Sequence, residues 1–174
     1  MYQKFSKAPE RLRFPDEAEE VSIIAEHLKT HIASDEVSSE IKKVHQLNGT
    51  SQKIQSLLQK ELEILHFESE KRDLFLNCGV PSLRPDLYLQ IGNSGILVEV
   101  ERGKTIANNM DLLDVWKCHL CARAHFLFLI VPRERVSLNE QRMQVFDRVS
   151  KRIGTFFDLE ENYVNVEEVH LFGY

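Results

Sequence analysis

Residues 84–101, Arg84-Pro85-Asp86-Leu87-Tyr88-Leu89-Gln90-Ile91-Gly92-Asn93-Ser94-Gly95-Ile96-Leu97-Val98-Glu99-Val100-Glu101, decide how this chain is read. Side chains alternate faces along a strand, so Leu87, Leu89 and Ile91 share one face and Asp86, Tyr88 and Gln90 the other. In the second run Ile96, Val98 and Val100 share a face, and Leu97, Glu99 and Glu101 share its opposite. Gly92 to Gly95 carry the turn signal between the two runs. The expected unit is a β-hairpin with Ile91 opposite Ile96, Leu89 opposite Val98, Tyr88 opposite Glu99 and Asp86 opposite Glu101.

That register puts Asp86, Glu99 and Glu101 on one side of the hairpin. Like charges facing one another across a sheet are destabilising. A solvated sheet face with ordinary surface acids is the plain explanation. A divalent cation is the chemical one: Mg²⁺ or Mn²⁺ takes oxygen ligands from a few carboxylates and water, and would remove the repulsion.

Outward from the hairpin, residues 1–14 read as an irregular arm and 16–32 as a helix with acids in its first turn. Residues 33–50 are polar and end on the breaker Asn48-Gly49-Thr50. A helix is expected from Ser51 to Ser69, with Ile54, Leu57, Leu58, Leu62 and Leu65 on one face. Glu61 falls within that stripe, where it needs either a basic partner or a functional role. Leu74–Cys78 reads as a short strand, and Thr105 to Cys121 as a helix. Its expected apolar stripe is Ile106, Met110, Leu113, Leu120 and Cys121, with Lys117 in the middle, either snorkelling to the rim or turning toward the acids. His125–Val131 is apolar on both faces, as a central strand is. Leu138–Ile153 reads as a helix and Val169–Phe172 as a last strand, at an edge. The alternation gives an α/β fold with a mixed sheet, in a single domain spanning 1–174.

The 174 residues suffice for a buried core without metals or disulfides, and 43% hydrophobic with 28% charged residues is ordinary globular composition. No apolar run reaches membrane-span length, so no membrane role is expected. The first residues lack the apolar core of a secretory signal, and three cysteines form no disulfide framework, so the expected location is cytoplasmic. The net charge of −5 argues against a basic nucleic-acid coat protein. Cys118, His119, Cys121 and His125 lack the second ligand pair of a structural zinc site and read as core and surface. The chain has no Gly-rich phosphate loop and no Gly-x-Ser-x-Gly nucleophile motif. Arg133, Arg135, Arg142, Arg148, Lys151 and Arg152 alternate with acids, as on a solvated helix face.

Arg84-Pro85-Asp86 followed, after a turn, by Val98-Glu99-Val100-Glu101 resembles the signature of the PD-(D/E)XK nuclease superfamily. The resemblance extends over Ser51 to Val131, with the order helix, three strands, helix, strand. It implies a restriction-endonuclease-like three-layer core at 51–174, with residues 1–50 as an N-terminal arm and helix. It also implies Mg²⁺- or Mn²⁺-dependent hydrolysis of DNA phosphodiesters. By position Asp86 and Glu99 match the metal-binding acids, and Glu61 matches the helix glutamate that some members add. Glu101 stands where the family usually has lysine; Lys117 or Lys104 would then supply the cation, with Glu101 orienting or deprotonating the attacking water. Cutting two strands makes a homodimer the expected assembly. The alternative is a nuclease fold that has lost catalysis and binds DNA or protein.

Overall fold

The first residues, expected as an irregular arm, form strand β1 (Tyr2–Ser6) in the computed structural model. The structure describes residues 1–44, 51–80, 83–101, 105–106, 108–136, 141–159 and 163–174. Helix α1 (Pro15–Ala33) begins with Pro15 in its first turn, followed by Asp16 and Glu17, an arrangement suited to the positive end of a helix. Its stripe Ala18, Val21, Ala25, Leu28 and Ile32 is buried. The polar stretch after it is helical too: α2 (Asp35–Val44) buries Ile41, with Val37 and Val44 packed on the same core at helical spacing. Helix α3 (Ser51–Ile64) inserts Ile54, Leu58 and Leu62 fully into the core.

Strand β2 (Glu68–Ser69) is two residues long. The strand expected at Leu74–Cys78 is instead a 3-10 turn, Arg72–Phe75, and the turns after it, with Leu74 and Phe75 buried as anchors. Strands β3 (Leu87–Ile91) and β4 (Ser94–Val100) form the expected hairpin. Helix α4 (Met110–Leu120), strand β5 (Phe126–Val131), the small pair β6 (Glu134–Val136) and β7 (Arg142–Gln144), helix α5 (Val145–Phe157) and strand β8 (Glu168–Gly173) complete the order.

The hairpin register is two residues tighter than expected. Leu87 pairs with Val98, Leu89 with Ile96 and Ile91 with Ser94, leaving Gly92-Asn93 as a two-residue turn. Gly92 takes φ +49°, a conformation open to glycine. A Cβ there would also meet the Glu17 carboxylate at 2.7 Å, and that same carboxylate accepts a hydrogen bond from Asn93 N at 3.0 Å. Because side chains alternate with period two, a shift of two leaves every face as predicted. It brings Asp86, just before β3, level with Glu99 rather than Glu101.

The six-stranded sheet runs β1-β8-β5-β4-β3-β2. Strands β4, β5 and β8 are mutually parallel, while β1, β2 and β3 join antiparallel. Strand β8 is therefore interior, not an edge: β1 covers its outer side by pairing Tyr2 with Phe172 through Ser6 with Glu168. Helices α1, α2 and α3 pack on the face bearing Leu87, Ile96, Val98 and Val100. Helices α4 and α5 pack on the other, with Tyr88, Leu97, Leu127 and Leu129. Every residue of β4 is thus buried, and the face carrying Glu99 is an interior layer rather than a solvated surface. The result is a mixed α/β fold, its six-stranded sheet flanked by helices. Among the described residues no helix is long and apolar enough to cross a membrane.

Candidate active site

Where β3 begins and β4 ends, the two strands and helix α4 bring together Asp86, Glu99, Glu101, Asp114 and Lys117. Asp86 follows the buried Pro85, and its Oδ2 accepts a hydrogen bond from the Val100 amide at 2.8 Å. Glu99 projects from β4 and is 4% exposed. Lys117 Nζ donates to Glu99 Oε1 at 2.6 Å and lies 3.6 Å from Asp114 Oδ1. Glu101, just past β4, is fixed by its backbone: its N donates to Ile130 O at 2.8 Å and its O accepts from Tyr174 Oη at 3.0 Å.

The electrostatics follow from burial with too few cations. Burial pushes the Asp86 carboxyl up, partly opposed by its bond from Val100 and by Lys117. Glu99 is driven well above the usual carboxylate range by burial and then by the charges of Asp114 and Asp86, against Lys117. Glu101 rises to about 7, through burial first and then Asp86. Asp114 rises to about 8, through burial and then Glu101 and Asp86. Burial pulls Lys117 down, but Glu99 and Asp114 outweigh it and raise its pKa. One ammonium thus faces four carboxyl groups. A fifth acid, Asp111, has its own partner: Arg152 of α5 lies with Nε 3.0 Å from Asp111 Oδ2.

Asp111 and Asp114 belong to no motif of the sequence. Helix α4 turns a different face inward from the one its apolar residues suggest: Asp111, Asp114, Val115 and Cys118 are buried, while Leu113 is 50% and Trp116 is 54% exposed. The available signal was spacing, since positions 111, 114, 115 and 118 make a helical stripe once acids are admitted to it. Both carboxylate oxygens of Asp114 are buried without a hydrogen-bond partner.

Glu61 does not join these acids. Leu58 and Leu62 take the sheet-facing positions of α3, and Glu61 lies with the half-buried Leu57 and Leu65 on the flank. Its Oε1 pairs with His27 Nε2 at 2.5 Å and its Oε2 lies 3.5 Å from His31 Nδ1, both on α1. The sequence expectation that Glu61 adds to the metal site is therefore corrected: it links two helices on the other side of the sheet. Lys104 and Arg102 lie outside the described residues. The cysteine and histidine cluster disperses: Cys118 and Cys121 are core, His119 Nδ1 accepts from Asn165 N at 2.8 Å, and His125 pairs with Ser94 Oγ at 2.8 Å.

Among the described residues, no three His, Cys, Asp or Glu side chains stand ready to hold a metal ion in this arrangement. The donor set nonetheless suits a hard divalent cation. It is all oxygen and largely withdrawn from solvent, and both oxygens of Asp114 lack a hydrogen-bond partner. Asp86 and Glu99 are the groups that would hold the ion, with Glu101 beside them. Compared with known families, with curated proteins and with solved structures, the chain matches none.

Proposed function

We propose that this chain is a divalent-metal-dependent endonuclease of the restriction-endonuclease-like kind, hydrolysing DNA phosphodiester bonds in restriction, defence or repair. The observation that carries the reading is the cluster of the buried Glu99 and the half-buried Asp86 and Glu101, with Lys117 beside them. Groups with strongly perturbed pKa values in one place mark functional sites more often than structural ones. The element order supports it as well. Helix α3 precedes the antiparallel β2, β3 and β4, and α4 then leads to β5 parallel with β4. That order is similar to the helix, three strands, helix, strand of the resembled superfamily, with the two-residue β2 in place of the strand expected at Leu74–Cys78.

A bound Mg²⁺ or Mn²⁺ would supply a Lewis acid for the phosphoryl oxygens and a water of lowered pKa. Asp86 and Glu99 would hold the ion. Glu101, with its pKa of about 7, is poised to accept a proton from water near neutral pH. Lys117 stands where the usual lysine of the strand is absent, and its ammonium stabilises the charge that develops on the phosphate. The proposal includes DNA as substrate, a homodimer for double-strand cutting, and a cytoplasmic location, with which the three free thiols agree.

A second reading, an inactive DNA- or protein-binding module of the same fold, draws on Glu101 in the lysine position and on the Lys117–Glu99 pair. Supercoiled plasmid incubated with Mg²⁺, Mn²⁺ or EDTA separates the two. The endonuclease reading expects nicking or linearisation with either ion, none with EDTA, and none in Asp86→Ala. Undamaged plasmid under every condition, with Mn²⁺ still absent from the protein by calorimetry, would reject it.

A further inference from the structure

The formal charges of helix α4 are drawn away from solvent. Asp111 and Asp114 are buried, and Lys117 bends onto Glu99. The ridge left outside runs Asn109, Leu113, Trp116 and Leu120, whose helical spacing puts them on one side and which carry no charge among them. Leu113 and Trp116 are half exposed. One face of the Trp116 ring stacks on His119, with 4.9 Å between centroids. The apolar surface continues past the end of the helix. Cys78 Sγ donates to Leu120 O at 3.5 Å, which sets the turns around Cys78 against the C-terminus of α4, and Leu76 and Val80 of that segment are exposed. A surface helix normally turns its apolar stripe to the core. Helix α4 gives part of its inner side to the acid cluster and leaves large apolar side chains in water.

We propose that this face is the contact between two copies of the chain, α4 lying against α4 of the partner subunit across a two-fold axis. Two observations select a second copy as the occupant. The first is charge. Each copy carries −5, and at a two-fold axis a side chain meets its own counterpart, so a charged ridge would repel itself. The ridge from Asn109 to Leu120 has no charge to repel, and none with which to steer an oppositely charged partner. The second is area. Leu76, Val80, Leu113 and Trp116 leave on the order of 400 Å² of side chain uncovered, close to the apolar share of the ~800 Å² that each partner of a standard interface contributes. Pairing leaves the acids on the inner side of the helix, so the inference holds whether or not they bind an ion.

Trp116 is the single tryptophan of the chain, so its fluorescence reports on this face alone. The test is sedimentation velocity and acrylamide quenching of the full chain in EDTA over a dilution series. The parent should sediment as a dimer at about 10 μM. Dissociation should shift Trp116 emission to longer wavelength and open it to the quencher, and a dimer too tight to dilute apart must still shield it. Trp116→Glu and Leu113→Glu should each weaken the dimer about thirtyfold or more, as at the centre of an interface. Ile23→Glu, at an exposed position on α1, should change it less than about threefold. Should Trp116→Glu fail to fold, Leu113→Glu and the parent's quenching decide. A parent monomeric at every concentration would overturn the proposal. So would a dimer that leaves Trp116 open to acrylamide, or one that survives both substitutions. Plasmid cleavage by a monomeric parent would keep the nuclease reading while this interface is lost.

Discussion

At the scale of single residues, the acid cluster lowers stability as the pH rises. Glu101 and Asp114 titrate near 7 and 8 in the fold, because burial and neighbouring acids disfavour their charged forms. In the unfolded chain both titrate near 4. Between those values the folded state holds more protons than the unfolded state, so stability falls as pH rises, from about 4 until the folded pKa values are passed. Ion-free protein should therefore melt at a lower temperature at pH 8 than at pH 5.5. Glu101→Gln removes part of that slope. Thermal melts should show the variant at least as stable as the parent at pH 8, with cleavage reduced about a hundredfold by loss of the proton acceptor. A parent melting temperature flat across this range would contradict the cluster's electrostatics. Asp86, Glu99 and Glu101 were legible in the sequence because strand alternation fixes a face whatever the exact register. Asp114 was not: on a one-dimensional stripe an inward aspartate is indistinguishable from one at a solvated helix start.

At the scale of elements, what the sequence revealed depended on how local the cause was. The hairpin, β5, α1 and α3 carry their own periodicity. Strand β1 does not, since its burial alternates poorly and it exists by pairing with β8, over 160 residues away in sequence. That distant edge is fastened by two buried acids, of which Glu168 holds Lys4 Nζ at 2.8 Å and Ser6 Oγ at 3.1 Å. Glu167 accepts from Lys7 Nζ at 2.9 Å, Arg13 Nη2 at 2.9 Å and the Arg13 amide at 2.7 Å, and its own side chain is 0% exposed. Glu167→Ala strands four donors, Arg13 Nε at 3.0 Å among them. The loss for a broken buried pair is about 3–5 kcal/mol, and Arg13 is half exposed and can turn to water. A loss of about 2 kcal/mol is therefore expected, read as a lower urea midpoint with unchanged slope. A loss under about 0.5 kcal/mol would mean that β1 is held by its ladder and the Glu168 contacts.

At the scale of the whole molecule, two apolar layers enclose the central strands, and the candidate site is mounted at their rim. The strand order could not be read from sequence, because it depends on which distant edges meet. The parallel centre followed from the doubly apolar β5. One consequence concerns hydrogen exchange. The amides of β4, β5 and β8 lie in the slowest-opening part of such a fold, where exchange tracks global unfolding. The Val100 amide is different: its partner is the Asp86 carboxylate rather than a backbone carbonyl. Its exchange rate therefore serves as a clock for one side chain. Asp86→Ala should release the Val100 proton to solvent much earlier than those of Leu97 and Val98, whose ladder partners remain. An ion that draws Asp86 away from the backbone should speed Val100 exchange while slowing the rest of the sheet, so a single deuterium experiment would report occupancy of the site and stability of the fold as opposite changes in neighbouring amides.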